Sequence, residues 1–278
     1  MDADARFTRL ADRAAVRVSG PDWRGFLQGL LTQDTETLAE GDLHLAALLT
    51  PQGKLLFDLF ILGQADGCLL DVAADRRDAL IARLGLYRLR AKVEIEADPR
   101  PVLALWGVEA FTGAGWSQDW RGWIPTLGWR GYGAEPPAGA REVSRDDYDR
   151  HRLSLGLPDP DRDCPSETTY PIEANFDAQD GIDFQKGCFV GQETTSRMKR
   201  RGVIKNRMLP IRFDGPAPTF GAEVLAGTLR AGEVRSGMDG AAIALLRLDR
   251  IAGAALTVDG RPVTVETPAY LASVLAAD

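Results

Sequence analysis

Thiol and imidazole groups are scarce in this chain: 278 residues hold three cysteines (Cys68, Cys164, Cys188) and two histidines (His44, His151). No two cysteines are spaced Cys-x-x-Cys, which excludes a zinc finger and a thioredoxin-like redox pair. An iron–sulfur cluster normally takes four thiolates, so one copy of this chain offers too few to hold one alone. Cationic excess is missing too. Lys and Arg number 33 against 40 Asp and Glu, a net charge of −7, which argues against a general nucleic-acid binder. No apolar run approaches a membrane span, so no membrane partner is expected. The start, Met1-Asp2-Ala3-Asp4, is acidic rather than signal-like, and the expectation is a cytoplasmic protein.

What remains is an ordinary globular composition with room for two or three compact units. Residues 7–18 alternate toward a strand. Ser19 and Pro21 then open a helix on which Trp23, Phe26, Leu27, Leu30 and Leu31 share one face. Strands are expected at 44–50 and 55–62 around the Pro51-Gln52-Gly53-Lys54 turn, then at 68–72, with an amphipathic helix over 74–84 ending near Gly85. Further strands fall at 91–95 and 101–106. Trp106, Trp116, Trp120, Trp123 and Trp129 read as core fillers of a small domain and its loops. The Gly/Pro-rich tract 131–140 reads as a linker. Ser144 caps a helix that stops at Gly156, and a long Pro- and Asp-rich loop leads on to a helix over 191–201, ended by Gly202. Beyond Val203 come short strands, with a hairpin on Asp259-Gly260, which together suggest a small barrel. The pattern is α+β with a β-rich end.

The most informative stretch is Lys186-Gly187-Cys188-Phe189-Val190-Gly191-Gln192-Glu193. Glycines on both sides allow tight turns and place the thiol in the open. Lys186 and the helix N–H groups just beyond favour a thiolate. Cys188 can serve as a nucleophile, as a transient cluster or metal ligand, or as a small turn residue, and the functional roles are preferred. A hydrolase would need a histidine base, but His151 lies between Arg150 and Arg152 on a helix and reads as part of a solvated face. Cys68 reads as a buried strand thiol, and Cys164, before Pro165, as a surface accident. Arg197, Lys199, Arg200, Arg201, Lys205 and Arg207 form a basic run that is either a solvated face or an anion site. Glu193, four residues before Arg197, offers it an ion pair instead.

The eight-residue motif resembles the signature of the folate-binding YgfZ family. That family includes mitochondrial and alphaproteobacterial iron–sulfur assembly factors and is related to the glycine cleavage T-protein, an aminomethyltransferase. Phe26-Leu27-Gln28-Gly29 with Thr32 and Asp34, Thr50-Pro51-Gln52-Gly53-Lys54, Tyr87-Arg88-Leu89-Arg90, Asp119-x-Arg121, Leu127-Gly128-Trp129-Arg130 and Pro171-x-Glu173 extend the likeness over nearly the whole chain. The resemblance implies a T-protein-like cloverleaf of three domains around a central hole. Residues 1–45 and 143–205 would form a discontinuous α+β domain, 46–142 a second, and 206–278 a small β-barrel.

It further implies a tetrahydrofolate-binding accessory protein for assembly or repair of iron–sulfur clusters, of the 4Fe–4S type, with no stably bound metal. Its partners would be other assembly factors and client apoproteins. Folate would lie in the hole with the Glu173 carboxylate on the pterin edge. Gly187, Gly191, Gln192, Glu193 and Arg197 would stand on the cofactor side, and Cys188 would act at the mouth, its pKa tuned by Lys186. The alternative is a folate-dependent aminomethyltransferase using Asp58 as its acid–base or electrostatic group. Two departures weigh against that enzyme. One of two adjacent acids in T-proteins is Phe57 here, and Ser154 replaces a glutamate tied there to pterin recognition.

Overall fold

The computed structural model describes residues 4–201 and 204–276, so the helix stop expected at Gly202 lies outside the described residues. The first half comprises β1 (Arg6–Arg9), β2 (Arg13–Ser19), α1 (Trp23–Gln28), β3 (Leu43–Leu49), β4 (Leu55–Gln64), β5 (Gly67–Ala73), α2 (Arg77–Arg88) and β6 (Glu94–Asp98). There follow β7 (Val102–Trp106), β8 (Trp116–Gln118), β9 (Trp129–Tyr132), β10 (Arg141–Glu142), α3 (Arg145–Ser154), α4 (Pro160–Asp163) and α5 (Gln192–Arg201). The last part is β11 (Asn206–Arg212), β12 (Glu223–Ala226), β13 (Leu229–Met238), β14 (Ala241–Arg247), α6 (Leu248–Ile251), β15 (Leu256–Val258), β16 (Arg261–Val265) and α7 (Ala269–Leu275). Three bodies result: a sheet ordered β3-β4-β5-β2-β6, a sheet ordered β10-β1-β7-β9-β8, and a closed six-stranded barrel. No described helix is long and apolar enough to cross a membrane.

The first sheet explains its own sequence. Along β3 and β4, Leu43, Leu45, Ala47, Leu49, Leu55, Phe60 and Leu62 enter one core. Ala46, Leu48, Phe57, Leu59 and Ile61 enter a second core beneath α1 and α2. With both faces buried, no polar alternation survives, and the strands read as continuous apolar runs. The first core is shared with Val102, Ala104, Trp106 and Tyr132 of the second sheet, with Tyr148 and Leu153 of α3, and with Met208 and Ile243 of the barrel. All three bodies therefore meet at one face of the first sheet.

Several expectations change. The run 7–18 breaks into β1 and β2, which join different sheets. The boundary expected at 45/46 falls inside β3, whose pairing with β4 runs from Leu43 to Leu48 without a shift. Residues 46–142 are likewise divided between the two sheets. Gly85 does not end α2, which continues to Arg88. Ser144 does cap α3, in a capping box with Asp147. Asp259 and Gly260 both take positive φ, 49° and 75°, in the hairpin turn between β15 and β16.

Candidate functional site at Cys188

The cysteine motif is an apex held between two buried anchors. Lys186 is buried, Gly187 and Cys188 are exposed, and Phe189 returns to the first core while Val190 packs on the second. The Lys186 ammonium donates to the Leu31 and Gln33 carbonyls, at 2.8 and 2.6 Å. Val190 N–H donates to the Gly29 carbonyl at 3.1 Å. Thr32 Oγ1 donates to the Gly181 carbonyl and accepts from Ala47 N–H, at 2.7 and 2.8 Å. The Phe26–Asp34 segment and the cysteine motif, far apart in sequence, thus form one structure.

Lys186 therefore holds the apex down; its ammonium is turned onto the Leu31–Gln33 backbone rather than reserved for the thiol. Burial, outweighing Asp34, Asp183 and Glu36, brings its pKa down to about 8. The two glycines also differ. Gly191 has φ +82°, and a Cβ there would lie 2.7 Å from the Thr50 carbonyl oxygen and 3.0 Å from Gly53 Cα. The Thr50–Lys54 turn packs directly against the start of α5 at this point. Gly187 needs no such freedom, because a Cβ on it would meet nothing within 4 Å. Its openness leaves the neighbouring thiol approachable.

The other thiols are withdrawn. All three cysteines are free, with Cys68 and Cys164 buried and Cys188 exposed. Cys164 is thus no surface accident; α4 and the loop after it pack it into the first core. Burial pushes both buried thiols up in pKa, as it disfavours the thiolate. His151 is also corrected. It is half-buried, stacked on Trp106 at 5.4 Å, with Nε2 3.1 Å from the Leu127 carbonyl, and burial holds its pKa down. Within the basic run, Arg207 is wholly buried and binds both Asp177 carboxylate oxygens. Arg197 stays exposed and pairs with exposed Glu193 at 3.5 Å. Gln192 N–H donates to the Phe189 carbonyl, starting α5.

The centre of the molecule joins Asp58, Asp119, Arg121 and Arg130, which the sequence reading named, to Arg13, Asp71 and Tyr132, which it did not select. Register puts Arg13, Asp58 and Asp71 on the face of the first sheet that meets the other two bodies: Asp71 lies opposite both Phe60 and Ala15, and Asp58 opposite Ala47. Arg13 donates to Asp71 through Nε (2.7 Å) and to Asp58 through Nη1 (2.8 Å). Arg130 and Tyr132 of β9 donate to the second Asp71 oxygen, at 2.7 and 3.0 Å. Asp119 accepts from Arg121, and the Arg130 guanidinium lies 3.7 Å from the centre of the Phe60 ring. Burial pulls the Arg13 pKa down, but Asp71 and Asp58 outweigh it and hold it well above its ordinary value. Burial also raises the Tyr132 phenol, and Asp71 adds to that. A signal for this cluster was present: Asp58 and Asp71 are lone acids in otherwise apolar strands, and a charge there requires a buried partner.

Tetrahydrofolate does not fit this centre as it stands. The cavity between Arg13, Asp58, Phe60, Arg121, Arg130 and Asp159 measures about 20 Å³, room for about one water. Ligand pockets are typically about 300 Å³ or more. The carboxylate expected on the pterin, Glu173, and the acid of the transferase reading, Asp58, are also committed. Asp58 is held by Arg13, while Glu173 accepts from Tyr170 N–H and Asn206 Nδ2, both at 3.0 Å. Among the described residues, no three His, Cys, Asp or Glu side chains converge to hold a metal ion.

Comparison with known proteins places this geometry. Residues 205–273 match the family model of the CAF17 C-terminal β-barrel domain. The chain is 35% identical to the human mitochondrial iron–sulfur cluster assembly factor IBA57, covering 88% of this chain and 78% of that protein. It is 32% identical to the mitochondrial IBA57 homologue of Neurospora crassa, over 80% of this chain and 57% of that one. Among solved structures, the glycine cleavage aminomethyltransferase T of Bartonella henselae shares the fold. The TM-score is 0.78 at 17% identity, covering 96% of this chain and 86% of that one. The expectation of a cytoplasmic protein is overturned by these relatives, which are named mitochondrial. It rested on the acidity of residues 1–4, which does not determine a compartment. On the strength of the human relative, the chain belongs to the IBA57 family of iron–sulfur cluster assembly factors.

Proposed function

We propose that this protein assists the assembly or repair of 4Fe–4S clusters by lending one thiolate, Cys188, to a cluster held jointly with a partner. The observation that carries this reading is the apex itself: one exposed thiol beside an unencumbered glycine, fixed between buried Lys186 and buried Phe189. A cluster normally needs four thiolates, and the other two in this chain are buried, so the remaining ligands come from the partner. Cys188 would lose its proton and bind iron, and would give the site up when the cluster moves to its client apoprotein. Pinning the loop lowers the ordering entropy that such an encounter must overcome.

The resemblance also implies tetrahydrofolate. Its entry to the centre would require the Arg13–Asp58 pair to open, and no step of the proposal depends on it. The aminomethyltransferase reading has the T-protein-like fold in its favour, but its acid, Asp58, is held by Arg13.

The test is to mix the anaerobically purified chain with a cluster-loaded carrier protein and follow the cluster's charge-transfer absorption in the isolated complex. Wild type, Cys68→Ser and Cys164→Ser are expected to retain a shared cluster, and Cys188→Ser to lose it. A shared cluster in Cys188→Ser would remove the reading.

A further inference from the structure

Away from the apex, the end of α2 carries an unusual surface. Leu86 and Leu89 are the most exposed large apolar side chains among the described residues, at 71% and 88%. Leu89 is held at φ 42°, ψ −105°, a region that L-residues other than glycine enter only with strain. Around them stand Arg83, Arg88, Arg90 and Lys92. Unlike most of the chain's arginines, these four cations make no ion pair among the described residues. In a chain of net charge −7, four unpaired cations around two exposed leucines form a distinct local feature.

This surface also lies near Cys188. Lys92 N–H donates to Asp22, just before α1, and Val190 N–H donates to Gly29, just after it. Helix α1 is six residues long, about 9 Å from end to end. The leucine surface and the cysteine apex therefore flank one short helix. A separation of that order is within the reach of one standard interface, about 800 Å² on each partner.

We infer that the last turns of α2 with the residues just after it, 83–92, are a docking surface for an acidic, cluster-carrying protein, with Leu86 and Leu89 as apolar anchors and Arg83, Arg88, Arg90 and Lys92 as a cationic rim. The inference rests on the reading of Cys188 as a shared cluster ligand and adds the surface that would bring a carrier to it. Charge complementarity selects an acidic partner and speeds the encounter. The leucines favour a protein over a lipid surface. A membrane-lying segment needs an extended apolar face, and no other large apolar residue of this segment is exposed, whereas a two-residue knob suits a pocket.

The experiment titrates the full chain with the cell's own acidic iron–sulfur carrier proteins, purified with and without cluster, and reads Kd by fluorescence anisotropy. Leu86→Ser/Leu89→Ser is expected to weaken binding at least tenfold with unchanged Tm. Arg88→Glu/Arg90→Glu should weaken it and flatten its dependence on salt. Leu89→Gly separates docking from folding: relief of the positive φ should raise Tm while binding still falls. Cys188→Ser should keep its affinity for the cluster-free carrier and lose only the shared cluster. Unchanged Kd in the leucine variants, or no binding by wild type to any carrier, overturns the docking surface. So does a leucine-dependent association with phosphatidylglycerol vesicles when carrier binding is unaffected. Normal docking of the leucine variants beside cluster loss in Cys188→Ser would sink the surface and leave the Cys188 reading standing. Lost docking in the leucine variants with a shared cluster in Cys188→Ser would do the reverse.

Discussion

The two glycines of the cysteine motif look equivalent in sequence, yet alanine is expected to distinguish them sharply. At Gly191 the added Cβ would sit at φ +82°, with the Thr50 oxygen at 2.7 Å, Leu49 Cβ at 2.9 Å and Gly53 Cα at 3.0 Å. A non-glycine residue in that backbone region costs about 1–2 kcal/mol. Forcing a methyl into packed backbone costs about 1–3 kcal/mol more. The sum is about 2–5 kcal/mol, a large part of the roughly 5–15 kcal/mol that holds a typical domain folded. Two of the three closest atoms are backbone, so little can move aside. At Gly187 the Cβ meets open space, and the change is expected to stay within about 0.5 kcal/mol. Urea unfolding of the two variants, read as a shift in midpoint at constant slope, measures the difference. A Gly191→Ala protein as stable as wild type, or a Gly187→Ala protein as damaged as Gly191→Ala, would refute the close packing of the Thr50–Lys54 turn on the start of α5.

Other outcomes follow from the same structure. Asp71→Asn should destabilise the fold by about 3–5 kcal/mol, because Arg13, Arg130 and Tyr132 all converge on that carboxylate; urea midpoints check it. Lys186 gives a pH signature. Its folded pKa of about 8 lies below its ordinary 10.5, so between those values the unfolded chain binds more protons and stability rises with pH. Its contribution is fully present above about 10.5 and is lost as pH falls through about 8. Lys186→Met should abolish that rise and also destabilise the fold by leaving the Leu31 and Gln33 carbonyls unpaired. Native-state alkylation with iodoacetamide should label Cys188 alone, with Cys68 and Cys164 reacting only after denaturation; labelling sites read by mass spectrometry decide this.

Local chemistry was legible in the sequence where neighbours along the chain determine it. The Ser144 cap, the Asp259-Gly260 turn and the exposed Cys188 between glycines are of this kind, and each stands as expected. The long-range contacts were not legible. Nothing near Arg13 announces Asp71, 58 residues away, and only the register of β2 on β5 brings them together. His151 between two arginines reads as a surface residue until Trp106 stacks on it. Cys164 beside a proline reads as loop until α4 buries it. Glu173 has the chemistry for a pterin, yet β11 supplies Asn206 to take its carboxylate. The residues that depart most from expectation are polar groups whose partners come from another body of the molecule.

Complementation of cells lacking this gene, with the activity of an endogenous 4Fe–4S enzyme as readout, tests the role of Cys188 most directly. Restored activity with wild-type protein, and none with Cys188→Ser at equal protein level, is the expected result. Equal restoration by both would contradict the assignment of Cys188 as the thiolate through which this protein handles clusters.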